Sequence, residues 1–249
     1  MERINKRLPP PNSESLRNDI SKQIITLKPR CPQKDDLCGL EIGNKKTGVS
    51  GKFYDSVWVW NLPAFVTCPG HTQWCSFNCY NADIRTDVYN HDLWCENWWL
   101  FLNSPSELKR TICEKIDNNS IKTAIRIHSS GDFFSIEYCK FWRDIIAEFP
   151  STVFWSYTRS WRVSNLKEEL LKMSVMDNFS LYASVDEMVD DQMIDLPKSR
   201  VFPNYSEMKS FSERYGGFIC PEQFGIVASC ADCGFCMRNR EQDVLFLLH

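Results

Sequence analysis

The sequence predicts an α/β fold: a partial, six-stranded (β/α) barrel. Three observations carry this. Short apolar runs alternate with amphipathic stretches through the middle of the chain, in the order strand, helix, strand, helix. Polar residues gather just after those runs, at His128 to Asp132, Tyr157 to Arg159 and Ser184 to Glu187. In a parallel β/α barrel such positions share one face, and that face carries the active site. Only six strand candidates are evident, beginning near Ala64, Ala124, Val153, Leu181, Val201 and Phe218, too few for eight clean units.

Residues 1–52 form a polar, basic segment. Its first fifty residues hold ten Lys or Arg against six Asp or Glu, a local charge of about +4. "RLPPPNSES" is excluded from helix and central strand by its prolines. "NSESLRNDISKQIITLK" reads as a short helix capped by Ser13 or Ser15. The barrel is assigned to residues 53–217. "FYDSVWVWNLP" is a strand-like apolar stretch stopped by Pro63, and "AFVTC" reads as a short buried strand running into Cys68. A helix is expected from Gln73 or Ser76, and "HDLWCENWWLFLN" reads as another. In "SPSELKRTICEKI" Ser104 is expected to cap, Pro105 to take the first position and Glu107 to complete a capping box. "TAIRIHSSGDF" is a strand with a polar end. "SIEYCKFWRDIIAEF" is a helix with Tyr138, Phe141, Trp142, Ile145 and Ile146 near one side. "STVFWSYTRSW", "FSLYASVDE" and "SRVFPNYSE" are further strands, with the helix "SNLKEELLKM" after the first. Residues 218–249 are a cysteine-rich extension, opened by a strand in "GGFICPEQF".

Hydrophobic residues make up 43% of the chain, enough for a core, and the formal net charge of −3 gives no global reason to expect nucleic acid. No signal peptide opens the sequence, and no stretch approaches the roughly 18 apolar residues of a membrane span. A cytoplasmic protein without a membrane partner is expected. Twelve cysteines then favour thiolates bound to metal, with some buried free thiols, over a disulfide framework.

Cys220, Cys230, Cys233 and Cys236 are spaced C-x9-C-x2-C-x2-C. Three thiolates share a tight run, eased by Gly234, and Cys220 supplies a fourth from a strand end. Tetrahedral zinc and a [4Fe–4S] cluster both fit. Zinc sites usually pair two separate knuckles, so the spacing favours the cluster. Cys68, Cys75 and Cys79 follow a strand with spacing C-x6-C-x3-C. Three thiolates would leave one iron of a cubane open to a substrate or cofactor. His71 lies in the same loop. Cys31 and Cys38 could add a ligand, while Cys95, Cys113 and Cys139 sit in helical apolar patterns as core thiols.

Strand alternation puts Arg126 and His128 on one face and Ile125 and Ile127 on the other. His128 is a candidate acid or base. Gly131 allows close backbone approach. Asp132 could accept from a ribose or amine, or belong to a helix entry with Ser135. Arg159 suits a carboxylate, or an internal ion pair with Asp132 or Asp186. Candidate catalytic residues are therefore Asp132, His128, Tyr157 and Arg159. Gly131, Asp132, Arg159 and Asp186 are the candidate cofactor-binding set. The cluster "WCENWWLFL" reads as core or interface.

"NLPAFVTCPGHTQWCSFNCYNADIR", "IRIHSSGDFFSIEYCKFW", "FWSYTRSW" and the closing cysteines together resemble the phage gene product eighty-eight family, over roughly Asn61 to Cys236. That family is found in phages and mobile elements and looks related to radical SAM proteins. The resemblance implies a partial barrel of radical-SAM type with one or two [4Fe–4S] clusters. One would sit on Cys68, Cys75 and Cys79 and the other on Cys220, Cys230, Cys233 and Cys236. It also brings in SAM as a cofactor. Radical SAM enzymes typically use C-x3-C-x2-C, so the longer first loop here changes the approach to such a cluster. Three functions follow as alternatives: a radical-SAM-like iron–sulfur enzyme of unspecified substrate, a non-catalytic iron–sulfur scaffold binding a protein or nucleic acid, or a zinc-stabilised structural protein.

Overall fold

The computed structural model describes residues 39–79, 81, 88–118, 122–186, 188–189, 191–238 and 241–248. Cys31, Cys38, Glu187 and the proposed helix near Ser13 lie outside the described residues.

One mixed sheet of eight strands organises the chain. Its strands are β1 (Leu40–Ile42), β2 (Ser56–Trp60), β3 (Thr123–Ile127), β4 (Val153–Thr158), β5 (Phe179–Val185), β6 (Lys198–Phe202), β7 (Phe218–Ile219) and β8 (Val244–Leu247). The spatial order is β1-β2-β3-β4-β5-β6-β8-β7. β1 runs antiparallel to β2, and every other pairing is parallel. Among the described residues the ladder has two ends, β1 and β7.

The expected six strands are corrected to eight, and one of the six is displaced. Residues from Ala64 to Thr67 form turns, not a strand. The strand is the preceding apolar run, because Ser56–Trp60 can pair along β3 while Pro63 lacks a donor for a ladder. β1 and β8 are short runs whose strand identity depends on docking to β2 and β6. Such runs carry little periodicity of their own.

The helices are α1 (Gln73–Asn78), α2 (Val88–Asn103), α3 (Pro105–Asp117), α4 (Ile136–Glu148), α5 (Ser164–Ser174), α6 (Tyr205–Tyr215) and two single turns, α7 (Cys230–Cys233) and α8 (Phe235–Arg238). α4 shows the expected stripe: Tyr138, Phe141, Trp142, Ile145 and Ile146 are all buried. Its cap is Ser135, which accepts from the Tyr138 amide. α3 starts at Pro105 as expected, but Ser104 makes no side-chain cap bond. Glu107 pairs with Arg110 instead of closing a box.

The sheet's two faces are covered differently. Ile125, Ile127, Phe154, Phe179 and Leu181 pack with α2–α5 in the main core. On the opposite face, Val57, Ala124 and Trp155 pack with Ala231 and Met237 from the C-terminal turns. Period-two alternation thus sends Ile125 and Ile127 to the helices and Arg126 to the other side. That other side carries the tail cysteines Cys230 and Cys236, while Cys68, Cys75 and Cys79 lie at the strand ends.

Candidate cysteine-lined site

Gly70 fixes the first cysteine loop. A Cβ there would stand 2.0 Å from the Arg159 carbonyl oxygen, so only glycine lets this loop touch the end of β4. Arg162 holds the same place by donating to the Gly70 carbonyl at 2.7 Å. Thr72 then begins α1 and accepts from the Cys75 amide. Its hydroxyl donates to Asp186 at the end of β5, at 2.7 Å. Cys75 and Cys79 are one helical turn apart, and the Cys79 thiol donates to the Cys75 sulfur. This bond, opposed by burial and aided by the Arg159 charge, lowers the Cys75 thiol. Cys79 is held up by the same bond, then by burial. Burial, followed by the Asp132 charge, raises Cys68.

The end of β3 is built on Asn61. Its Oδ1 accepts from the Ser129 and Ser130 amides at 2.8 and 2.9 Å, while its Nδ2 donates to Glu41. His128 is buried and holds a left-handed backbone at φ 71°, uncommon for a residue with a side chain. The Trp60 indole N–H donates to Tyr138 Oη at 2.8 Å. The Tyr138 hydroxyl lies 2.9 Å from His128 Nε2, where it can donate. Burial, then the Arg126 charge, lowers His128 to about 3, so the ring is neutral near pH 7.

Asp132 is also buried, and its acceptor capacity is turned inward. Oδ1 takes the Thr158 hydroxyl at 2.6 Å and the Phe133 amide at 2.7 Å. Oδ2 takes the amides of Arg159 and Ser160 at 2.8 and 3.1 Å. Burial still holds its carboxyl above the ordinary range. Gly131, at φ 80°, occupies the backbone region that glycine tolerates. Arg159 pairs with Asp186 at 3.0 Å and lies 6.0 Å from the Trp74 ring centroid.

These groups share a cavity of about 1020 Å³. Cys68, Cys75 and Cys79 line it with His71, and so do His128 to Asp132, Tyr157 and Arg159. The strand ends of β3 and β4 therefore face the first cysteine group. Asp186 is reached indirectly, through Arg159 and Thr72. His71 Nδ1 lies 2.8 Å from the Cys68 carbonyl oxygen, which ties it to its own loop.

The tail group faces a second, small cavity of about 20 Å³, lined by all four of Cys220, Cys230, Cys233 and Cys236. β7 delivers Cys220. Ser229 caps α7 by accepting from the Asp232 amide, and Gly234 ends it at φ 63°. The Cys230 and Ala231 amides bond to the Lys46 and Thr47 carbonyls, fastening the tail to the segment after β1. Burial, against the charges of Arg126 and Lys46, raises Cys230 to about 11. Thiolate ligands need such countercharge, and the donor set suits a thiolate-bound group.

The family model for gene product 88 matches residues 37–239. The chain belongs to the gene product 88 family. Among its relatives are the gene 88 proteins of Mycobacterium phage L5, 26% identical over 203 residues, and of Mycobacterium phage D29, 27% identical over 201. Each match covers 72% of this chain and 81% of the relative. No solved structure matches the chain. The family match widens the span read from the sequence, Asn61 to Cys236, on both sides. It contains both cysteine groups and every strand except β8. Among the described residues of this family member, no helix is long and apolar enough to cross a membrane.

Asn61, Thr72 and Gly70 carry no functional signal in the sequence. "NLP" and "PGHT" read as strand stop and turn, and nothing local shows that they brace the ends of β3, β4 and β5. Arg126 takes the expected face, but His128 does not share it: its left-handed backbone turns the ring to Tyr138 of α4, on the side of Ile125 and Ile127.

Proposed function

We propose that this member of the gene product 88 family is an iron–sulfur protein with two cysteine-held centres, and that the large cavity is the site of a radical-SAM-like reaction. One observation carries the proposal. Cys68, Cys75 and Cys79 line the same cavity as the β3 and β4 strand ends, while the four tail thiols line the cavity next to it. Helices on one face of the parallel strands and a cavity at their ends agree with a partial barrel.

With a [4Fe–4S] centre and SAM bound, the site would gain one-electron chemistry that the protein side chains cannot supply. The chain's own residues would orient the ligands. Cys68, Cys75 and Cys79 would hold the centre. Arg159, steadied by Asp186, would face a carboxylate. Gly131 would let a ligand approach the backbone, and the neutral His128 would close the wall. Asp132 would act by shaping the β4 loop.

A zinc ion on the tail is the second reading, favoured by the small size of the tail cavity. Among the described residues no group of three or more His, Cys, Asp or Glu side chains stands ready to hold a metal ion, which bears on the zinc and the cluster readings alike.

Low-temperature EPR on anaerobically purified, reduced protein, with and without SAM, tests the proposal. A [4Fe–4S] signal that changes with SAM is expected. Cys75→Ala should lose about half of the iron and keep the tail signal. Equal iron in variant and parent would sink the two-centre assignment. A cluster signal indifferent to SAM would leave the non-catalytic scaffold, and zinc in place of iron would leave the structural reading.

A further inference from the structure

Few side chains separate the two cavities. Lys46, Arg126, Tyr157, Glu222 and Phe246 line both of them. Arg126 on β3 stands opposite Trp155 on β4, so Tyr157, two residues on, is its diagonal neighbour on the same face. The Arg126 guanidinium lies 5.3 Å from the Tyr157 ring centroid. Arg126 Nε donates to the His128 carbonyl at 3.2 Å, which holds the head group in the wall. Tyr157 is held too, with ring centroids 5.4 Å from Tyr182 and 6.0 Å from Phe246. Its hydroxyl hydrogen bonds to Cys236.

We propose that Tyr157 and Arg126 are positioning residues for the tail centre: the Tyr157 O–H bonded to the Cys236 sulfur and the adjacent Arg126 charge favour the centre's reduced form. The inference rests on the iron–sulfur reading above. Adding one electron adds one negative charge, spread over the cluster and its sulfurs. A hydrogen bond to sulfur and a nearby cation stabilise that state more than the oxidised one, which raises the reduction potential. The other sides of these two residues form the wall of the large cavity. The tail centre and any occupant of that cavity therefore meet across a wall to which these two side chains belong.

The test is an EPR-monitored redox titration of anaerobic full-length protein in the Cys75→Ala background, where the tail centre is observed alone. Tyr157→Phe removes one O–H, and Arg126→Gln removes the charge. Each is expected to lower the reduced-to-oxidised ratio at fixed potential about tenfold, a midpoint shift of about 59 mV for one electron. Arg126→Lys should restore most of the shift. Iron content should match the background protein throughout, which a merely structural effect would not leave intact. Unmoved midpoints in loaded Tyr157→Phe and Arg126→Gln proteins would overturn the inference and spare the iron–sulfur reading. If Tyr157→Phe fails to load, the two Arg126 variants decide the matter alone. A parent protein without any cluster signal would overturn both at once, before a variant is made.

Discussion

Replacing Asp132 by Asn tests whether this carboxylate builds the site rather than waiting for a ligand. Each of its oxygens accepts two hydrogen bonds, one pair from Thr158 and the Phe133 amide, the other from the Arg159 and Ser160 amides. An amide offers one acceptor oxygen. Turned toward Arg159 and Ser160, its NH₂ meets two amide donors and two bonds are lost. Turned toward Thr158 and Phe133, one is lost because the hydroxyl can rotate to accept. In either case the remaining bonds lose their charge assistance. Bonds to a charged acceptor contribute about 1.5–3 kcal/mol each, so the gross loss is about 3–6 kcal/mol. Part returns, because burial opposes the charge that the substitution removes. A net destabilisation of about 2–4 kcal/mol is expected, or roughly 5–15 °C in Tm for a chain of this size. Urea unfolding at matched slope measures it. A variant within about 0.5 kcal/mol of the parent would refute the reasoning, since the four bonds would then be contributing nothing that an amide cannot replace.

His128 and Gly70 supply two more tests. The folded protein holds His128 near 3, against about 6.5 for an unfolded histidine. The unfolded state therefore binds more protons between these values, so the His128 contribution is fully present above pH 6.5 and is lost as pH falls toward 3. Stability should fall by about 1 kcal/mol per pH unit from pH 6 to pH 4 through this residue. His128→Asn, which tolerates the left-handed backbone, should remove that part of the slope; equal slopes by urea titration would count against it. Gly70→Ala should destabilise by about 1–3 kcal/mol, because its Cβ would collide with the Arg159 carbonyl and push the cysteine loop off β4. Unchanged stability, with iron content also unchanged, would show that the loop has more room than its packing implies.

The helices most legible in the sequence are those with a strong apolar stripe and a local cap. α4 is the clearest, since Ser135 and the Tyr138–Ile146 stripe are neighbours in sequence. The capping box at Ser104 failed because Arg110, one turn later, offers Glu107 a charged partner. The strand misplaced at Ala64 has a similar cause. "VWVW" and "AFV" are both apolar, and only pairing with β3 distinguishes them. Both cysteine groups were visible by spacing, and so were the polar strand ends. Their companionship was not visible, because Cys68 and Arg159 are far apart in sequence and are brought together where Gly70 lets the loop touch the end of β4.

Residue type and spacing along the chain determine which thiols can act together, where βα units alternate and which face each strand residue takes. These are local properties of a backbone with fixed periods. Tertiary structure alone decides that Asn61 braces β3, that Asp132 is consumed by the β4 loop, and that Arg126 and Tyr157 stand between two cysteine groups. Such contacts join residues brought side by side by sheet order, and sheet order depends on the packing of the whole chain.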